Sequence, residues 1–199
     1  MILESIVTTL NDDASVNISP MGPRILNPAS DGSFETFELR PFDTSTTFAN
    51  LKRDLAGVMH VDDNVDLFAR AAIGKITGSD LPKLAAAKVI NGQVIDTACR
   101  AYEFKVNFID ETGPRMSLNC EVVAVHRQRD FFGFNRAKHA VLEAAILATR
   151  LDFLPFEEIA QQFRRLKIIV DKTAGPVESK AFENLHQFVH ASNESGLGE

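Results

Sequence analysis

The stretch Tyr102-Glu103-Phe104-Lys105-Val106-Asn107-Phe108 alternates large apolar side chains with polar ones, and Met116-Ser117-Leu118-Asn119-Cys120-Glu121-Val122-Val123-Ala124 repeats the alternation. A period of two puts Tyr102, Phe104, Val106 and Phe108 on one face of a strand, and Met116, Leu118, Cys120, Val122 and Ala124 on one face of the next. Asp110-Glu111-Thr112-Gly113-Pro114 between them is turn chemistry, so the pair reads as a long β-hairpin. After Arg129 the period changes from two to 3.6. Asn135 can cap a helix reaching about Arg150, with Val141, Ala144, Ala145 and Ala148 on one stripe. Pro155 opens a second helix with Glu157 and Glu158 in its first turn and Arg164, Arg165 and Lys167 at its far end. A third opens at Pro176 and aligns Ala181, Phe182, Leu185, Phe188 and Val189, leaving a frayed polar tail from Ser192.

Upstream of the hairpin the chain is again mainly strand. Residues 2–9 alternate and are rich in β-branched side chains, Asn11-Asp12-Asp13 turns the chain, and residues 14–20 return. A Pro-, Gly- and Ser-rich loop over residues 20–33 leads to a strand over residues 34–40. Thr44 or Ser45 caps a helix that extends toward Leu55. Residues 57–61 form a short buried strand, then Asp62 or Asp63 caps a helix through Leu67, Phe68, Ala71 and Ala72 that Gly74 stops. Residues 75–95 read as a long connection. The expected architecture is α+β: a barrel or sandwich of about six strands over residues 1–132, followed by a three-helix cap over residues 133–199.

The 199 residues are 45% hydrophobic and 24% charged, enough to bury a core without staples and too apolar for a disordered chain. Twenty-one basic against 27 acidic side chains give a net charge of −6, with no basic half, which argues against general nucleic-acid binding. Met1-Ile2-Leu3-Glu4 has no basic region and places an acid in the first apolar run, so it does not read as a signal peptide. No stretch approaches the ~20 apolar residues of a membrane span. The chain is expected to be cytoplasmic. Cys99 and Cys120 lack metal or redox spacing and read as buried thiols.

Several chemistries are missing from the sequence. There is no G-x-G-x-x-G after a strand, no P-loop, no H-E-x-x-H and no G-x-S-x-G. Four constellations stand out. Arg40-Pro41-Phe42-Asp43-Thr44-Ser45-Thr46-Thr47-Phe48-Ala49-Asn50-Leu51 joins an arginine, several hydroxyls and a helix start, the makings of an anion site. A plain N-cap would need only one of those hydroxyls. Asn17-Ile18-Ser19-Pro20-Met21-Gly22-Pro23 leaves a strand through a stiff turn and can present Asn17 and backbone amides to a flat ring; an ordinary barrel corner would look the same. Arg136, His139, Glu143 and Arg150 lie within about 60° of one another on a helix. That stripe can bind an anionic substrate or relay protons, or it is a solvated face. His186 and His190 are one turn apart, but no third ligand adjoins them, so they read as a surface pair and no metal site is assigned.

Taken in order, Ile6-Val7-Thr8-Thr9, Val16-Asn17-Ile18-Ser19-Pro20-Met21-Gly22, and Arg40-Pro41-Phe42 with Ser45-Thr46-Thr47 and Asn50-Leu51 resemble the FMN-binding split-barrel superfamily. Flavin reductases and pyridoxamine-phosphate-oxidase-like proteins are among its members. Residues 134–150 look like the helical signature of one family of unknown function within it. The resemblance implies a six-stranded Greek-key split barrel with a helical C-terminal domain, a homodimer, and FMN in a groove near the subunit interface. It implies that Arg40, Ser45, Thr46, Thr47 and Asn50 contact the phosphate or ribityl chain, and that Thr8, Thr9, Asn17, Pro20, Met21 and Gly22 line the isoalloxazine. An oxidoreductase or flavin reductase of unassigned substrate follows, with NAD(P)H or another carrier as hydride donor and Arg136, His139, Glu143 and Arg150 at the second substrate. No catalytic acid is evident. The alternatives are a non-catalytic flavin-binding or sensing protein, a binder of a deazaflavin or a pterin, and, last, a barrel that binds nothing.

Overall fold

A computed structural model of the chain describes residues 1–74, 76, 78–113 and 115–195. The chain divides into two compact units: Met1–Asp62 with Leu81–Phe131, and Asp63–Asp80 with the chain from Phe132 on. No helix among the described residues is long and apolar enough to cross a membrane.

The first unit is a curled antiparallel sheet. Its strands are β1 (Ser5–Leu10), β2 (Val16–Met21), β3 (Arg24–Ile25), β4 (Thr36–Leu39), β5 (Ala56–Val61), β8 (Arg100–Asp110) and β9 (Ser117–Arg127), in the order β2-β1-β5-β8-β9-β4-β3. Strands β2 and β3 stand at opposite ends of that order, yet only Gly22 and Pro23 separate them. Seven flat strands would span about 29 Å at ~4.8 Å each. Two intervening residues reach only about 11 Å. The sheet must therefore roll up. Residues ahead of β1 complete the turn: Met1 accepts from the Ile25 amide at 2.8 Å, and Leu3 donates to Pro23 at 3.1 Å. At the corner a Cβ on Gly22 would lie 3.1 Å from Ile2 Cγ2. The sequence predicts six strands and the sheet holds seven, because the loop expected over residues 20–33 contains the two-residue β3, which pairs with β4.

Helix α1 (Thr46–Asp54) inserts Phe48 and Leu51 into the barrel core beside Val7, Leu39, Met59, Phe104 and Leu118. Ser45 is its N-cap, accepting from the Phe48 amide at 3.1 Å. The expected hairpin is β8–β9, but Phe108 is not on its inner face: it is 60% exposed. A bulge between Val106 and Phe108 inserts one residue and sets Phe108 opposite Asn119 instead of Leu118. In the turn, Asp110 accepts from the amide and hydroxyl of Thr112, while Pro114 lies outside the described residues. The expected connection over residues 75–95 contains a second sheet, β6 (Leu84–Ala86) paired with β7 (Gln93–Ile95). Cys120 sits in β9 and Cys99 just ahead of β8, both as buried free thiols.

The second unit holds α2 (Val65–Ala72), α3 (Arg136–Ala148), α4 (Phe156–Thr173) and α5 (Pro176–Glu194). It therefore contains four helices, where three were expected, because residues 63–80 pack with the C-terminal segment. Ala137, Ala144, Phe163, Phe182 and Leu185 share its core with Val65 and Ala69. Asn64, not Asp62 or Asp63, caps α2, accepting from the Leu67 amide at 3.3 Å. Asp63 instead accepts from the Phe132 amide at 3.0 Å and pairs with Lys138 at 3.3 Å. Pro155 is the residue before α4, not its first, and the helix runs past Lys167 to Thr173, so the basic cluster lies in its interior. The expected fraying from Ser192 is absent as far as Glu194, since Ser192 is buried within α5.

Candidate functional site

Consecutive residues on β1 face opposite sides of the sheet. Thr9 faces the core side, opposite Asn17 of β2 and beneath α1. Its Oγ1 accepts from Asn17 Nδ2 at 3.1 Å and from Asn50 Nδ2 at 3.0 Å. Asn17 Nδ2 also donates to Thr47 Oγ1 at 3.0 Å. Four residues named from three separate stretches of sequence thus form one hydrogen-bonded network joining β1, β2 and α1. Thr9, Thr47 and Asn50 are buried in it, while Asn17 is half-buried.

Asn50 is held from several sides. It donates to Asn11 Oδ1 at 2.8 Å, and its own Oδ1 accepts from Arg53 at 3.3 Å. Arg53 in turn binds the Leu10 carbonyl at 2.6 Å and pairs with Asp12 and Asp54. Sequence reasoning missed Asn11 and Arg53. Arg53 was legible, since it stands three residues after Asn50 on one helix; Asn11 lies in a turn and carried no such signal.

Beside the network is the start of α1. Ser45 spends its hydroxyl on the Phe42 carbonyl at 2.7 Å while accepting from Phe48, so its role is to fix the helix entry. The amides of Thr46 and Thr47 have no acceptor within the helix, and the first turn carries no acid. Thr46 is exposed. Arg40 follows β4, with Nε 3.8 Å from Glu38, a carboxylate that also serves Arg24 at 3.3 Å. One carboxylate between two guanidiniums leaves local positive charge, which an anion at a helix N-terminus would meet.

The other named residues do not join this network. Thr8 faces the outer side and donates to the Gln93 carbonyl at 2.6 Å. Pro20 shares that side of β2, whereas Met21 lies on the core side, where its carbonyl accepts from Ser5 at 2.8 Å. Gly22 forms the corner. In the helical unit Arg136, His139 and Glu143 are exposed on α3, with the His139 ring stacked on Phe134 at 6.1 Å between centroids. Arg150 is exposed but lies past the end of α3, so the stripe is three helical residues and one beyond. The His186 and His190 rings lie tilted at 45° with 4.3 Å between centroids; burial, with His190 nearby, holds His186 below its ordinary range.

On the outer side of the barrel, buried groups appear that sequence reasoning did not single out. Glu103 accepts from the amides of Lys88, Val89 and Ile90 at 2.6, 2.8 and 3.0 Å. His60 Nε2 accepts from the Ile95 amide at 3.0 Å. No spacing rule reveals such pairs, because one partner is always backbone.

Solved structures similar to this chain agree on the fold. An FMN-bound protein of the DUF447 family from Methanosarcina mazei matches with a TM-score of 0.79 at 20% identity, covering 94% of each chain. An FMN-binding protein from Thermus thermophilus, solved with 1-cyclohex-2-enone, matches with a TM-score of 0.51 at 16% identity over 64% of this chain and 72% of that one. An NADH:FAD oxidoreductase from Streptomyces globisporus gives 0.51 at 12% identity over 64% and 71%. No curated protein matches. The model of the DUF447 N-terminal domain matches residues 3–129 and that of a second DUF447 region matches residues 135–187, both described as of unknown function, and the chain belongs to this family.

Proposed function

We propose that the barrel unit binds FMN and that the protein is an FMN-dependent oxidoreductase or flavin reductase, working as a cytoplasmic homodimer with NAD(P)H or a similar carrier as hydride donor. The observation that carries this reading is the network of Thr9, Asn17, Thr47 and Asn50 beside the open N-terminus of α1. The similarity to an FMN-bound member of the same family supports the choice of cofactor.

The donor set suits a phosphorylated, flat-ringed molecule. Arg40, the hydroxyl of Thr46 and the first amides of α1 would hold the phosphate, with Ser45 fixing the helix entry and Thr47 and Asn50 toward the ribityl chain. Asn17 Oδ1 accepts no hydrogen bond among the described residues, which suits it to receive a ring N–H. Thr9, Met21 and Gly22 would line the ring from the core side of β1 and β2, whereas Thr8 and Pro20, which the resemblance also points to, face the outer side and would only support those strands. FMN, when bound, supplies the hydride chemistry. The chain's own part is to bind, orient and shield. Arg136, His139, Glu143 and Arg150 would meet the second substrate, whose class their mixed charge leaves anionic or zwitterionic.

The test is a near-ultraviolet and visible spectrum of freshly purified protein, with mass spectrometry of whatever heat releases and NADH and NADPH oxidation assays. Flavin bands, an FMN mass and turnover are expected. Flavin without turnover would favour the non-catalytic binder, and another mass would favour a deazaflavin or pterin. A colourless protein that does not take up added FMN would overturn the reading.

A further inference from the structure

The outer face of the sheet carries two neighbouring rows of side chains. One runs Ile6, His60, Ala101, His126 across β1, β5, β8 and β9; the next runs Thr8, Val58, Glu103, Ala124. The β6–β7 hairpin lies over them. Val94, Ile90 and Ala87 cover Val58 and Ala101. Around that small apolar centre the barrel grips the hairpin's backbone: Thr8 on Gln93, Glu103 on residues 88–90, His60 on Ile95, and Gln128 on the Ile95 carbonyl at 2.7 Å.

We propose that the hairpin over residues 84–95 is a strap that acid releases, because two of its fastenings, His60 and Glu103, hold it only while unprotonated. The Ile95 N–H points at His60 Nε2, so that nitrogen must be bare and Nδ1 donates to the Ile6 carbonyl at 3.1 Å. A proton on Nε2 would set donor against donor. Glu103 gathers three consecutive amides and His126 Nε2 at 2.6 Å, a cradle built for a carboxylate.

The groups facing these two are few. His126 stands across Ala101 from His60 and against Glu103. Lys105, two residues along β8 from Glu103, is exposed and opposite Glu121. Burial drives His60 from its ordinary 6.5 to about 4, against the bond to the Ile6 carbonyl and with a smaller push from neighbouring His126. For Glu103, burial opposes the charge, but the bonds from Lys88, His126, Val89 and Ile90 outweigh it and hold the carboxyl below its usual range. Both shifts keep these groups unprotonated at neutral pH, as the fastened strap requires. Between pH 6.5 and about 4 a released strap takes up a proton at His60 that the fastened one refuses, so fastening weakens by up to about tenfold per pH unit. Glu103 adds its loss as pH falls further, through its lowered value. Release frees the Thr8 hydroxyl and uncovers Val58 and Ala101.

The experiment is hydrogen–deuterium exchange of the full chain at a series of pH values, each amide corrected for its intrinsic rate. The amides of Lys88, Val89, Ile90 and Ile95 should lose protection stepwise below pH ~6.5, by up to about tenfold per unit, while those linking β8 to β9 keep theirs. At neutral pH, Glu103→Gln should cost residues 88–90 about tenfold or more in protection. Protection at all four amides that stays flat down to pH ~4, or that falls in step with β8–β9, overturns the proposal.

Discussion

The two units differ in what they bury. Among the described residues the barrel unit buries Ser5, Thr8, Thr9, Thr47, Asn50, His60, Asp62 and Glu103, whereas the helical unit buries only Asp63 and Ser192 of the polar types. The core of the helical unit is alanine, leucine, isoleucine, valine and phenylalanine. Burying a polar group costs free energy unless it is bonded, and a helical core can avoid that cost altogether. The barrel does not avoid it, and its buried polar groups serve two ends. On the outer face they fasten the hairpin; on the core side they join β1, β2 and α1 beside the first amides of that helix, which have no acceptor within it. Bonded buried polar groups are concentrated in the barrel unit, and the polar side chains of the helical unit lie mostly on its exposed faces.

The sharpest way to break this contrast is to damage each apolar core alike. Phe104 is fully buried and meets Phe37 edge-on at 5.2 Å. Phe104→Ala should cost about 3–5 kcal/mol in urea unfolding, and Leu185→Ala in the helices about 2–5 kcal/mol. Similar losses would show that the units differ in polar content, not in how their cores hold.

Asn50→Ala strikes what only the barrel has. Thr9, Asn11 and Arg53 each lose a partner, which should cost about 1–3 kcal/mol. FMN affinity, by fluorescence quenching, should fall about tenfold or more, equivalent to at least ~1.4 kcal/mol.

Ser45→Ala removes the α1 cap. A loss of about 1 kcal/mol is expected, with FMN binding weakened several-fold because the helix start is no longer fixed. Arg136→Ala lies at the other extreme. It removes an exposed side chain of α3, so stability should move by less than about 0.5 kcal/mol and FMN affinity should hold. Turnover with the second substrate should fall. If it does not, the stripe has no part in the reaction.

Much of this was legible in the sequence, for reasons that also explain the rest. Period-two alternation located β1, β2, β8 and β9, and the 3.6-residue period located α3 to α5. The alternation failed at Phe108 and again at Ala124, which stands opposite Glu103 on the outer face, because two bulges shift the phase and no residue type marks either insertion. The β6–β7 hairpin was invisible because short strands over a mixed face need no periodicity; side chains of the barrel grip their backbone. The joining of α2 to the other helices is a long-range packing outcome that local pattern does not encode. In the candidate site the family resemblance points to Thr9, Asn17, Thr47 and Asn50, which meet one another, and also to Thr8, which as the strand neighbour of Thr9 faces the opposite side.

The central claim is that the core-side network of β1, β2 and α1 is where FMN binds. The most direct measurement is an FMN titration of the wild type beside Asn17→Ala, followed by flavin fluorescence, with both unfolding curves recorded. Saturable quenching by the wild type is predicted, with affinity about tenfold or more weaker for Asn17→Ala, although its fold is retained. Equal affinity for the two proteins, or no binding by the wild type, would contradict the account.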